Sequence, residues 1–158
     1  MAVDYTVIQP VRQRFGDTDF GGWEESQVEL EAPFVGREKE FPFSCPNIDS
    51  GQMGVLQFES FGLTSRSNVI EINGIAVPGG LTSGPWWLGQ YTTIAFWKAH
   101  SLLVPTNMLA ERNVLYIKSV DMGDDEGGLD NFIIDNIVLF FKTRTSGGLG
   151  GIRDIAPA

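Results

Sequence analysis

Residues 128–143, GLDNFIIDNIVLFFKT, constrain the fold more than any other stretch of this chain. In an extended strand, successive side chains point to opposite faces. Ile133, Asp135, Ile137, Leu139 and Phe141 would then share one face, and Phe132, Ile134, Asn136, Val138 and Phe140 the other. A strand apolar on both sides belongs in the middle of a sheet or beneath a covering segment. A helix competes for the same residues. The β-branched pairs Ile133-Ile134 and Ile137-Val138 disfavour it, as does the lack of a polar stripe. Asp135 and Asn136 interrupt the apolar run and mark a local change, either a bulge or a passage near the rim.

Further strands follow from alternation. QVELEAPF (27–34) sets Val28 and Leu30 against Gln27, Glu29 and Glu31. VLQFESFGL (55–63) sets Leu56 and Phe58 against Gln57 and Glu59. NVIEINGIAVPGG (68–80) reads as a hairpin, because Asn73-Gly74 supplies two residues tolerant of positive φ between β-branched flanks. TTIAFWKAH (92–100) and NVLYIKSV (113–120) are strand candidates as well. The best helical candidate is a single turn in TNMLAERN (106–113), capped by Thr106 or Asn107; REKE (37–40) is too short to nucleate alone.

With 19 glycines and 8 prolines in 158 residues, the chain is cut into many short elements. The expectation is an all-β antiparallel sandwich of roughly seven to ten strands. It forms a single domain over residues 1–145, followed by a flexible, Gly-rich tail over 146–158.

The formal charge of −9 repels phosphate backbones and anionic lipid, so nucleic acid and membranes are not expected partners. Cys45 is the single cysteine, so no internal disulfide forms. The N-terminal residues show no apolar core of a secretory signal, leaving a cytoplasmic location or export without a visible signal.

The second half, with VIEINGIAVPG, WKAHSLLVP, AERNVLYIKS and LDNFIIDNIVLFFK, resembles galactose-binding-like jelly-roll domains. The sugar-binding domains of β-glycosidases and many carbohydrate-binding modules are similar. Asn73 and Gly74, Trp97 and His100, Asn113, Leu115 and Ile117, and Ile133 to Phe141 carry the likeness, over about residues 50–143. The resemblance implies a jelly-roll topology. It leaves the function open, because such folds serve sugar, lipid and protein binders and structural accessories alike.

Tryptophan faces stack on the apolar faces of pyranose rings, so Trp86 and Trp87 in TSGPWWLGQY are the first ligand candidates, with Tyr91 and Trp23 behind them. The bland alternative is that one plugs the end of the sandwich and the other covers a strand edge. DMGDDEGGLD (121–130) holds five carboxylates, including Asp121, Asp124 and Asp125, and flexible oxygen-rich loops suit Ca2+. It does not fit an EF-hand, since Glu126 stands where glycine is required. Many proteins of the resembled family hold a structural Ca2+ in an N-terminal loop, which implies Asp17 and Asp19 of GDTDFGG. A solvated acidic turn is the plain alternative.

His100 and Ser101 are adjacent, which is poor geometry for a nucleophile pair; His100 is expected to end a strand and bond a backbone group. Glu24, Glu25, Glu59 and Glu71 offer carboxylates for a glycosidase pair, but no local pattern favours any of them. No catalytic residue is therefore assigned, and an enzyme is not expected. Two functions remain. One is a non-catalytic module binding carbohydrate through loop aromatics. The other is a structural protein whose sandwich associates with other proteins or with itself, using the aromatics as anchors.

Overall fold

The computed structural model describes residues 1–17, 32–81, 97–122 and 128–144. Among these there are ten strands and no helix: β1 (Ala2–Gln9), β2 (Gln13–Phe15), β3 (Phe34–Gly36), β4 (Glu38–Ser44), β5 (Gly54–Phe61), β6 (Val69–Ile72), β7 (Ile75–Ala76), β8 (Trp97–Val104), β9 (Arg112–Lys118) and β10 (Phe132–Thr143). They form two packed sheets, an all-β sandwich. The larger sheet runs β3-β2-β10-β5-β8, with β1 joining β2 along the same edge of β10. The smaller runs β4-β9-β6-β7. Every pairing is antiparallel except the short β2–β3 contact.

The core lies between the sheets. Leu56 and Phe58 of β5, Phe41 and Phe43 of β4, Ile70 and Ile72 of β6, and Leu115 and Ile117 of β9 are all buried there. Burying a side chain of this size stabilises by about 1.5–3 kcal/mol. Pro42 lies in β4, an edge strand, where a missing N–H breaks no central ladder.

The expected hairpin is present. Asn73 and Gly74 join β6 to β7 with φ of 54° and 78°, the paired positive values of a type I′ turn. The expected turn of helix at 106–113 is not. Asn107 stands at φ 65°, incompatible with a helix start, and its N–H bonds the Ser50 carbonyl at 2.6 Å. Local propensity yields there to a tertiary hydrogen bond.

β10 is a central strand, paired with β5 on one edge and with β1 and β2 on the other. Its irregularity is a bulge. Asp135 faces Glu59 and Val138 faces Gln57, so two residues of β10, Asn136 and Ile137, oppose one of β5, Phe58. Asn136 takes the left-handed conformation, φ 53°. The bulge corrects the expected face assignment. Phe132 and Ile134 before it, and Ile137, Leu139 and Phe141 after it, all enter the main core. Ile133 instead turns to the outer face, where it packs with Phe61 and Ala32.

Candidate functional site

Many polar side chains near the strand ends prove to be structural. Asp130, at the end of the acidic loop, is buried. It accepts from the N–H groups of Thr64 (3.1 Å) and Ser65 (2.9 Å), from Asn68 Nδ2 (2.5 Å) and from the Thr64 hydroxyl. It thereby ties the β5–β6 connection to the segment entering β10. At the other end, Asn113 accepts from Asn73 Nδ2 (2.9 Å) and the Ala110 N–H (2.8 Å), and donates to the Ala110 carbonyl (2.6 Å). Two residues of the family resemblance, Asn73 and Asn113, thus hold turns in place.

Asp17 also braces loops. Its carboxylate accepts from the Leu129 N–H (3.0 Å) and Asn131 Nδ2 (3.1 Å). Asn131 Oδ1 in turn accepts the Asp17 N–H at 3.0 Å. A Cβ at Gly16 would collide with Asn131, and one at Gly128 with Asp17, so glycine is required at both. Gly16 and Asp17 therefore meet Gly128, Leu129 and Asn131, far away in sequence. Asp121 makes an isolated bridge to Leu129. Among the described residues no three carboxylate, imidazole or thiol groups stand close enough to hold one ion. Asp19, Asp124 and Asp125 lie outside the described residues.

His100 corrects another expectation. It lies within β8, not at its end, and its partner is a side chain: Nε2 is 2.6 Å from Ser60 Oγ. The ring stacks on Phe58 with centres 4.5 Å apart. Burial, with a lesser contribution from Lys98, lowers its pKa to about 4. Ser60 is itself 1% exposed, so the pair is buried within the sandwich. The Cys45 thiol is buried, and desolvation reinforced by the charge of Asp4 pushes it up to about 12, far from a reactive thiolate.

The outer face of the larger sheet is different. Directly paired residues of neighbouring strands share a face, so the register defines rows. Tyr5, Phe140, Val55 and Leu103 form one. Val7, Val138, Gln57 and Ser101 form the next, followed by Asp135, Glu59 and Ala99, and then by Ile133, Phe61 and Trp97. Tyr5 and Leu103 are exposed at 62% and 58%, the Tyr5 and Phe140 rings lying 6.1 Å apart. At the other end Trp97 is 41% exposed, packed on Phe61, and the Arg12 guanidinium sits 4.8 Å over its ring. Arg12 Nε also pairs with Asp135 at 3.0 Å.

Between these ends lies a depression of about 350 Å³, lined by Gln57, Glu59, Ala99, Ser101, Asn136, Val138 and Phe140 above buried Phe58 and His100. The bulge adds Asn136 to that lining. Among the described residues, the side chains of Gln57, Glu59, Ser101 and Asn136 hydrogen-bond no other protein group. They form a polar group, among the described residues of this face, that is left open to solvent.

Trp23, Trp86, Trp87 and Tyr91 lie outside the described residues. Alternation in VLQFESFGL does mark Gln57 and Glu59 as outward-facing. Nothing in the sequence brings them beside Ser101, Asn136 and Tyr5, because that juxtaposition is made by strand order.

No protein-family model matches the chain, and no curated protein matches it. The chain is similar to a solved structure, BpGH86A, a beta-porphyranase of glycoside hydrolase family 86 from the human gut bacterium Bacteroides plebeius, with 17% identity and a TM-score of 0.44. The match covers 90% of this chain and 21% of that one, so this chain spans about a fifth of that enzyme. A likeness this remote says nothing of ligand.

Proposed function

We propose that this chain is a non-catalytic binding module that takes a carbohydrate chain on the outer face of its larger sheet. One observation carries the reading: an apolar strip and a band of unengaged polar groups lie side by side. Tyr5, Phe140, Val55 and Leu103 provide the strip, and Gln57, Ser101, Glu59 and Asn136 the band. A sugar ring is amphipathic in the same sense, with C–H faces that pack on rings and alkyl groups, and hydroxyls that need donors and acceptors. Amide groups offer both and a carboxylate offers acceptors, so this band matches hydroxyls better than it matches an apolar peptide. Trp23, Trp86, Trp87 and Tyr91 remain in the reading as loop contacts.

Tryptophan fluorescence titrated with a panel of soluble glycans tests it. Binding by the native chain, weakened about tenfold or more in Tyr5→Ala and in Gln57→Ala, supports the reading. Absence of binding across the panel refutes it. Release of new reducing ends by the native chain, lost in Glu59→Gln, would replace binding by hydrolysis through the facing carboxylates of Glu59 and Asp135.

A second reading is self-association through the same face, favoured by the exposed aliphatic side chains of Val3, Val7 and Leu103. Mass measurement in solution separates the two, because a strict monomer excludes it.

A further inference from the structure

The charges on this face are unevenly matched, and this inference rests on the carbohydrate reading above. Asp135 and Glu59 stand directly opposite each other on adjacent strands, where like charges repel. Arg12 answers only one of them. Its Nε is 3.0 Å from Asp135 Oδ2, and its guanidinium is seated on the Trp97 ring. Glu59 has no hydrogen bond or ion pair among the described residues, and it lines the depression. Among the described residues, two carboxylates to one guanidinium leave an excess negative charge at the centre of the polar band, on a chain of net charge −9.

We infer that Glu59 sets the charge class of the ligand. It accepts hydroxyl donors from an uncharged glycan and turns away chains bearing carboxylate or sulfate groups. An anionic substituent laid against it would meet an unneutralised carboxylate in a partly walled depression, where repulsion is stronger than in open water. Asp135 does not serve this way, because Arg12 occupies it.

The test uses the full chain and pairs of polysaccharides that share a backbone and carry uncharged or anionic substituents: hydroxyethyl and carboxymethyl cellulose, methyl-esterified and de-esterified pectin, unsulfated and sulfated galactan. Retardation in gels containing each polymer gives the affinity. The native chain is expected to bind at least one neutral polymer, and its anionic counterpart about tenfold more weakly. Glu59→Gln, which gives up acceptor capacity toward hydroxyls, should weaken neutral binding by a few-fold at most and bring the gap between the two members of a pair below about twofold. High salt should narrow the gap in the native chain and leave Glu59→Gln unchanged.

Equal native binding to both members of a pair overturns the role of Glu59 and leaves the carbohydrate reading standing. A gap that survives in Glu59→Gln overturns it too, since overall acidity would then be the cause. If no neutral polymer binds, both fall. Glu59 is half-buried and has no hydrogen-bond or ion-pair partner among the described residues, so the isosteric substitution should leave the fold intact, which circular dichroism checks.

Discussion

At the rim beside Thr64, the carboxylate of Asp130 is buried and accepts from four donors of the β5–β6 connection. On the outer face of the larger sheet, about midway along β5, the carboxylate of Glu59 is partly open and meets no protein donor among the described residues. Both are acidic residues in a strongly acidic chain, and sequence alone ranks neither above the other. The difference is desolvation. A buried carboxylate persists only when its acceptor sites are filled, so burial converts Asp130 into scaffolding. Glu59 keeps its hydration until something displaces it, so it stays available for recognition.

Removing the two carboxylates should have very different consequences for stability. Asp130→Ala strands buried donors at Thr64, Ser65 and Asn68 and should cost about 3–5 kcal/mol, read as a fall in the urea midpoint. Glu59→Ala should change stability by no more than about 0.5 kcal/mol. A comparable loss in both would mean that Glu59 is structural after all.

A second test uses acidity. The His100 pKa is lowered to about 4 in the folded chain, against an ordinary 6.5, because burial opposes the charged ring. Its neutral form therefore contributes stability that is complete above pH 6.5 and is lost as pH falls towards 4. The loss attributable to this ring is about 3 kcal/mol at most. Urea unfolding at pH 7 and pH 4, in the native chain and in His100→Phe, isolates it: the variant should show the shallower dependence.

At the opposite rim, Asn113→Ala removes the side chain that links Asn73 to the Ala110 turn and should cost about 2 kcal/mol by thermal melt. The smallest effect on stability is expected at the bulge. Asn136→Gly should leave the melting temperature almost unchanged, because glycine accepts φ 53° without strain, while glycan affinity falls. A stability loss above about 1 kcal/mol there would return Asn136 to the structural set.

Much of the sandwich was legible because its signals are local. Asn73-Gly74 demands a tight hairpin whatever surrounds it, and the alternation of Leu56 and Phe58 with Gln57 and Glu59 names a buried and an outward side. β1 and β4 were not legible. In β1 the alternating Val3, Tyr5 and Val7 point outward, so its pattern would suggest the wrong face for the core. In β4 a charged stretch is followed by a proline between Phe41 and Phe43, which reads as a loop until the strand is known to lie on an edge. The outer-face site was legible only in fragments. Its residues come from β1, β5, β8 and β10, and register between strands so distant in sequence follows from the closed core.

β1 also shows how an exposed edge is kept from sticking. The Asp4 carboxylate accepts the Tyr5 N–H at 2.8 Å, occupying a backbone donor that another strand would otherwise take.

The extra residue in β10 has a consequence for how this chain tolerates change. Side-chain direction reverses across the bulge, so the two halves of the strand obey opposite parity rules and are reconciled only by the residue inserted between them. Deleting Asn136 would throw Ile137, Leu139 and Phe141 out of the interior together, which no single replacement in this strand can do. In a lineage of such chains, length at this point should drift less than identity does.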